Sequence, residues 1–489
     1  MSLPRGWVQA SIASIADTQL GKMLDAAKNK GKPVRYLRNV NVRWGEFDLS
    51  DLQEIRVAPD ELDRFAVRDG DIFVCEGGEP GRTAVWRNGN QDLIFQKALH
   101  RLRVLDDMQA DYLARYLRFA VSQRDFSSLL TGTTIRHLPQ IALQRMGVAI
   151  PPAAEQRRIV AKLNALTARL ARAQAELDRS PQLTDRFRFS ALRAGVMGKL
   201  TEDWRVTTTN ILPVETLLRN VAAPLQGRGG RNATDKIIHG VAGLAVNDPG
   251  TILPNGWKWV SLLRLARQET GHTPSRSQPS YWDGGVPWIG IRDAGAHHGR
   301  YINETVQTIS EAGLANSSAR LLPSGTVCLS RTASVGYVTI MARSMATSQD
   351  FATWTCTEAL LPEYLMYVLM AEGEDIRRFG MGSTHTTIYF PEIRALHIAL
   401  PPIEEQKEIV VRIKQALSRV DRLEAEATRT RALLDRLESS ILAKAFKGEL
   451  VPQDPDEEPA SVLLTRIRAQ RASAPKAKQK PRNGHRIMA

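Results

Sequence analysis

Cysteine is scarce. Cys75, Cys328 and Cys356 are the only three in 489 residues. Odd in number and far apart, they make neither a disulfide framework nor a CxxC metal pair, so a reducing cytoplasm is the expected compartment. Long apolar runs are missing too. Met1 to Gln9 is polar and no uninterrupted stretch reaches the roughly 18 residues of a membrane span, so neither export nor insertion is expected. Catalytic signatures are absent in turn. There is no GxxxxGK[ST] phosphate loop, no GxGxxG after a strand, no Asn-Pro-Pro-Tyr type tetrapeptide, no acidic cluster with a lysine, and no Ser-His-Asp or Cys-His signature. No cofactor or metal is therefore expected on this chain. The adjacent pair His297-His298 lies in a Gly/Ala-rich stretch, where neighbours do not face one metal and a surface loop is the simpler reading.

Positive charge is plentiful, at a net +14, which points to nucleic acid or another acidic partner. Its distribution narrows that inference. Residues 1–150 carry 21 basic and 18 acidic side chains, and residues 251–400 carry 12 of each. The excess lies in 151–205 (11 against 6) and in 451–489 (8 against 4). Any recognition by the two larger segments must use local patches.

Duplication is the dominant pattern. Leu3-Pro4-Arg5-Gly6-Trp7 returns as Leu253-Pro254-Asn255-Gly256-Trp257, and Pro151-Pro152-Ala153-Ala154-Glu155-Gln156 as Pro401-Pro402-Ile403-Glu404-Glu405-Gln406. Gly198-Lys199-Leu200 returns as Gly448-Glu449-Leu450, and every pair stands 250 positions apart. Each copy reads as a globular segment followed by a long helix. Strand-like runs (Asp71 to Val74, Leu99 to Val104; Pro287 to Ile289, Gly325 to Leu329, Leu396 to Leu400) mix with helices near Asp111–Val121 and Pro362–Met370. The fold class is thus α+β, with a pseudo-two-fold internal repeat.

After each double proline the period changes. Ile159, Leu166 and Ala173 form one row and Leu163, Leu170 and Leu177 another. In the second copy Ile413, Val420, Ala427, Leu434 and Ile441 form one row, and Ala416, Leu423, Thr430 and Leu437 the other. Such heptads predict two long helices paired as an antiparallel coiled coil, the second from about Ile403 to Phe446, the first kinked or broken at Pro181. The domains read as 1–150, a helical spacer 151–205, a linker 206–252 centred on Gln226 to Arg231, a second domain 253–400, a second spacer 401–450, and a mostly disordered basic tail 451–489.

This plan, the Pro-Pro-x-x-Glu-Gln helix starts and two further stretches together resemble the specificity subunit of type I restriction-modification systems. The stretches are Ser180 to Arg188, running on to Gly198-Lys199-Leu200-Thr201-Glu202-Asp203-Trp204-Arg205, and Ser440 to Leu450, followed by Ala460 to Ala469. The resemblance implies that 1–150 and 253–400 are target-recognition domains, each reading half of a bipartite double-stranded DNA site. It implies that the helices space them and dock two modification (methyltransferase) subunits. S-adenosylmethionine would sit on those subunits, and ATP and Mg²⁺ on restriction subunits, with no catalysis here. Two other classes are a stand-alone methyltransferase or nuclease with divergent motifs, and a coiled-coil scaffold.

Candidate DNA contacts come from loops that recur. Glu76 to Thr83 and Ser330 to Tyr337 each follow a strand, with Arg82 or Arg331 as the reaching group and Thr83, Thr332 and Ser334 beside them. A turn between strands is the alternative. Thr131 to His137 and Gly382 to Tyr389 precede the long helices and offer Thr133, Thr134 and Arg136, and Thr384, Thr386, Thr387 and Tyr389. Gln96-Lys97 and Gln349-Asp350 also recur and suit structural hydrogen bonding. Trp288 reads as core, with Arg292 nearby as a possible contact.

Overall fold

Strand register carries the duplication further than sequence identity does. The computed structural model describes residues 3–25, 29–209, 211–226, 232–332, 334–381 and 386–473. The chain divides into two compact units, Met1–Leu177 with Arg429–Ala489, and Asp178–Thr428.

In the first unit Val8–Ser11 pairs antiparallel with Gly147–Ile150, Val8 opposite Ile150. A four-stranded antiparallel sheet runs in the order Ala16–Leu20, Leu99–Val104, Ile72–Cys75, Thr83–Val85. A three-stranded sheet runs Gln53–Val57, Lys32–Leu37, Leu93–Phe95, its last pair parallel. The unbroken apolar run Ile72-Phe73-Val74-Cys75 has no alternation because all four residues are buried. Helix Ala110–Val121 turns Tyr112, Leu113 and Leu117 inward, and the Tyr112 hydroxyl donates to Ala149 O at 2.7 Å.

The second unit repeats this plan. Lys258–Ser261 pairs with Leu396–Leu400, Lys258 opposite Leu400. Ala266–Thr270, Phe351–Cys356, Val327–Ser330, Val338–Met341 and Tyr301–Ile302 form one sheet. Gln307–Ile309, Trp282–Ile289 and Ala346–Thr347 form another, again with a parallel last pair. Tyr364 on helix Pro362–Ala371 donates to Ala399 O at 2.6 Å, as Tyr112 does to Ala149.

The two long helices each run 44 residues, Ala153–Val196 and Ile403–Phe446. The double prolines seat their starts. Gln156 donates to Pro151 O (3.0 Å) and accepts from Gln109 N (3.0 Å); Gln406 donates to Pro401 O (3.0 Å) and accepts from Leu361 N (2.9 Å). Within the second unit the helices touch: a Cβ on Gly195 would lie 2.5 Å from Ile413 Cδ1, and Arg188 reaches Asp421 (3.4 Å) and Glu424 (3.1 Å). Within the first unit Ile159 and Leu163 share a core with Leu442, Ala445 and Phe446.

Four expectations need correction. The first helix is not broken at Pro181: it stays continuous, with Pro181 on the exposed face, where water can serve the carbonyl that loses its partner. The row Ala416, Leu423, Thr430, Leu437 is not the buried one. Leu423 and Leu437 are about half exposed, whereas Ile413 and Val420 are buried and Leu417 packs on the core, so the inward step after Ile413 is four residues rather than three.

Residues 206–252 are more than a linker. Helix Val214–Asn220 buries Val214 and Leu217, and Leu244–Val246 adds to the sheet beside Leu396–Leu400. The buried Glu372 carboxylate fixes that segment by accepting from Val241 N (2.7 Å) and Ala242 N (3.0 Å). Residues 227–231, the expected flexible middle, lie outside the described residues. Finally, the tail holds a helix, Ala460–Ser473, with Ala460, Leu463, Leu464 and Ile467 buried in the first unit; its apolar residues at steps of three and four give it a docking face. Residues 474–489 lie outside the described residues.

Candidate nucleic-acid interface

Three loops meet in the first unit. One is the turn Arg38 to Asn41 after strand Lys32–Leu37, the second joins Cys75 to Thr83, and the third is the hairpin closed by the Thr131–His137 bridge. They converge on Gly77-Gly78. Asn39 Nδ2 donates to Gly77 O (3.2 Å), a Cβ on Gly77 would lie 3.1 Å from His137 Nδ1, and one on Gly78, at φ +82°, only 2.7 Å from Asn39 Nδ2. Only glycine allows this approach together with that backbone conformation. Leu138 N donates to Glu76 O (2.7 Å), and His137 Nδ1 lies 3.2 Å from Glu76. Behind the hairpin, buried His100 holds Leu138 O at 2.7 Å, and burial lowers its basicity.

The second unit builds the same junction. Ser330 N donates to Tyr337 O and Gly336 N to Ser330 O, as Cys75 N does to Arg82 O and Gly81 N to Cys75 O. Ile388 N donates to Arg331 O (2.9 Å), and the Met381–Thr387 bridge matches Thr131–His137. Gly295, on helix Ile291–Ala296, backs onto Tyr337, its would-be Cβ 3.4 Å from that ring. Hence Arg82 corresponds to Tyr337 and Arg331 to Glu76. The loops are equivalent but the two arginines are not.

Several candidates are engaged in bonds within the fold. Arg82 folds back, donating to Glu79 (2.8 Å) and Asn39 O (2.8 Å). Thr83 is buried, its hydroxyl on Gly81 O (2.6 Å), because it opens a strand. Arg331 donates to Gln349 O (2.9 Å) and lies 4.5 Å over the Phe390 ring. Thr332 donates to Asp350 (2.6 Å), and half-buried Ser334 gives its carbonyl to Ser330 Oγ (2.5 Å). Gln349 and Asp350 do hold structure: Gln349 accepts from Thr273 (2.6 Å), and Asp350 also from Ser348 (2.9 Å). The backbone of Gln96 donates to Leu37 O (3.0 Å).

The hairpins are different. Thr133, Thr134, Ile135 and Arg136 are all exposed, and Arg136 has no hydrogen bond or ion pair among the described residues. In the second unit Tyr389 is exposed and Thr386 and Thr387 half-buried, while Thr384 lies outside the described residues. Two further contacts stand near these loops: Trp44 donates to Glu79 (2.8 Å) with the Arg118 guanidinium 5.6 Å over its ring, and Arg276 lies 4.5 Å over Trp282. Nothing in their local sequence marks them. Trp288 is core, as expected, and Arg292 is exposed. Among the described residues no three potential ligands gather as a metal site, and His298 accepts from Val338 N (3.0 Å). No helix among them is long and apolar enough to cross a membrane.

Two similar domains, each ending in three convergent polar loops, are what a sequence model then matches twice. The type I restriction modification DNA specificity domain covers residues 4–178 and 254–431. The chain belongs to this family. The type I restriction enzyme EcoKI specificity subunit of Escherichia coli (strain K12) is 24% identical over 501 residues, spanning 96% of this chain and 97% of that one. The StySPI specificity subunit of Salmonella potsdam is 25% identical over 501 residues, spanning 96% of each. Among solved structures, the HsdS subunit from Thermoanaerobacter tengcongensis shares the fold at TM-score 0.58 and 22% identity, over 92% of this chain and 99% of that one. A chain from a structural study of complex assembly and conformational transition in the type I R-M system does so at TM-score 0.63 and 22% identity, over 92% and 100%. The stand-alone enzyme and scaffold readings draw no support from these relatives.

Proposed function

We propose that this chain is the non-catalytic DNA-specificity subunit of a type I restriction-modification complex in the cytoplasm. Residues 1–150 read one half of a bipartite site and residues 253–400 the other. The observation that carries this is the repeated three-loop junction: two domains of one fold, presenting equivalent loops with different side chains, suit two different half-sites. The exposed residues of the Thr131–His137 hairpin supply hydroxyls and, in Arg136, a guanidinium without a partner among the described residues, the groups that hold phosphates and base edges.

The two long helices pair as an antiparallel coiled coil and set the gap between half-sites; 44 residues span about 65 Å at 1.5 Å per residue. They also dock two methyltransferase subunits. Leu183 and Phe187 on the first helix, and Leu433 and Leu437 on the second, are exposed apolar pairs four residues apart, the spacing of a helix face awaiting a partner. S-adenosylmethionine belongs to those subunits, and ATP and Mg²⁺ to the restriction subunits. Docked methyltransferases extract the target adenine while the domains hold its flanks.

The test is to express the chain with its modification subunits and map methylated positions in DNA. A two-part sequence is expected, and replacing residues 253–400 with a relative's segment should change one half only. A continuous target, a change in both halves, or methyl transfer or cleavage by this chain alone would overturn the proposal.

A further inference from the structure

The turn that follows the central strand of each three-stranded sheet is built the same way twice. Leu37 lies opposite Phe95, and Ile289 opposite Thr347, in the two parallel pairs. Leu37 O then accepts from Gln96 N (3.0 Å), and Ile289 O from Ser348 N (3.1 Å). Next comes a buried capping residue. Asn41 Oδ1 accepts from Arg38 N (2.9 Å), and Asp293 Oδ2 from Gly290 N (2.9 Å). Both caps are also tied to a later loop, Asn41 Nδ2 to Asp48 O (2.9 Å) and Asp293 Oδ1 to Val306 N (2.8 Å). These shared bonds make Val40 and Arg292 equivalent positions, one residue before the cap.

Both side chains are left over by the fold. Val40 is 47% exposed beside a cap only 2% exposed. Arg292 is exposed and makes no hydrogen bond, ion pair or ring contact among the described residues. Its neighbours are fixed: Arg276 lies over Trp282, while Ser348 and Thr332 bind Asp350. Arg292 lines a cleft with Gly290, Asp293, Ser348 and Asp350. In the first unit the turn abuts the junction directly, since Asn39 binds Gly77 and receives Arg82. In the second it does so through Gly295 and Tyr337.

Resting on the reading that each domain grips one half-site, we propose that Val40 and Arg292 are equivalent base-reading positions: Arg292 selects a guanine, and Val40 the methyl group of a thymine. A position aimed at phosphate would not carry valine in one copy, because an isopropyl group cannot bind an oxyanion. A position aimed at the major-groove edge accommodates both residues, since guanine offers a forked guanidinium its O6 and N7 and thymine offers apolar side chains its methyl. Valine is also stiff about χ1, so its contact costs little ordering.

The experiment uses the full chain with its modification subunits and a pool of randomised double-stranded DNA, reading methylated sequences for wild type, R292K, R292Q and V40S. R292K keeps the charge and removes the fork. Expected is a roughly tenfold to hundredfold loss of preference at one guanine-bearing position, confined to one half-site, in both Arg292 variants, and a smaller loss at one thymine of the other half in V40S. Thermal midpoints should stay within a degree or two of wild type, because both side chains are exposed. Unchanged preferences in all three variants, or rescue by R292K with an even loss across all sequences in R292Q, would overturn the assignment. A wild-type complex that marks no two-part sequence would instead overturn the reading of the domains, and this inference with it.

Discussion

Trp7 donates its indole N–H to Glu155 at 3.0 Å, and 250 residues later Trp257 does the same to Glu405 at 2.8 Å. Each bond ties the start of a domain to the start of the long helix that follows it. The carboxylates are equally buried but differently served. Glu405 Oε1 takes Thr201 Oγ1 (2.7 Å) and the Arg205 guanidinium, whereas Glu155 Oε1 has no hydrogen-bond partner among the described residues. Burial accordingly pushes the Glu155 carboxyl above the usual glutamate range, with the Trp7 bond offsetting part of the effect.

Opposite outcomes follow for two conservative variants. E405Q should cost about 3 kcal/mol, because it leaves Arg205 without its charge partner in a buried place. E155Q should be neutral or stabilising at pH 7. The folded state keeps the Glu155 proton to higher pH than the unfolded chain does. Wild type therefore loses stability as pH rises above about 4.3 towards that raised value, and the glutamine variant does not. Thermal midpoints across pH 4 to pH 8 test this: the gain of E155Q over wild type should widen with pH and vanish near the acid end.

His100 predicts the converse slope. Its burial holds the folded pKa below the ordinary value, so the unfolded chain binds the proton first as pH falls. Stability is complete above about pH 6.5 and declines below it. Because its Nε2 holds Leu138 O, the hairpin from Thr131 to His137 should lose amide exchange protection in the same range. In H100Q that pH dependence should be flattened; an unchanged profile would show that another group sets it.

The C-terminal helix should contribute to the stability of the first unit. Leu463 and Ile467 are 1% and 0% exposed, Ala460 N donates to Gly6 O (2.9 Å), and Arg471 reaches Ala16 O (3.0 Å). L463A or I467A should each cost about 2–5 kcal/mol, and V462A, on the open side, under about 0.5 kcal/mol. Chemical denaturation separates the two cases.

Much of this fold was legible in the sequence because its strongest signals were periodic or repeated. The long heptad row and the double prolines gave the helix Ile403–Phe446 its true ends, and Leu396–Leu400 was apolar enough to read as a strand. What escaped depended on register. The copies keep an offset of 250 at Trp7 and Trp257, slip to 252 by Leu37 and Ile289, and return to 250 at Thr131 and Met381. The offset reaches 255 between Cys75 and Ser330, so Arg82 and Arg331, 249 apart, resemble each other without being equivalent, and a constant spacing of 250 conceals the match of Val40 with Arg292. The short strand Leu244–Val246 and the C-terminal helix were hidden for another reason: each is stabilised by a distant partner, Leu396–Leu400 for one and the N-terminal domain for the other, and local composition does not record partners.

Two threonine-bearing loops looked alike in sequence, and salt dependence should part them. Arg136 stands exposed on its hairpin, so in the complete complex R136A should weaken binding evenly across DNA sequences and lower the slope of log K against log salt by about 1. Thr83 is buried with its hydroxyl on Gly81 O, so T83A should leave that slope unchanged and cost about 1 kcal/mol of stability through the orphaned carbonyl. Titrating labelled duplex at several salt concentrations, with thermal unfolding run in parallel, reads both quantities. A changed slope in T83A, or an unchanged one in R136A, would move the DNA-facing surface away from the Thr131–His137 hairpin and onto the strand turn that carries Thr83.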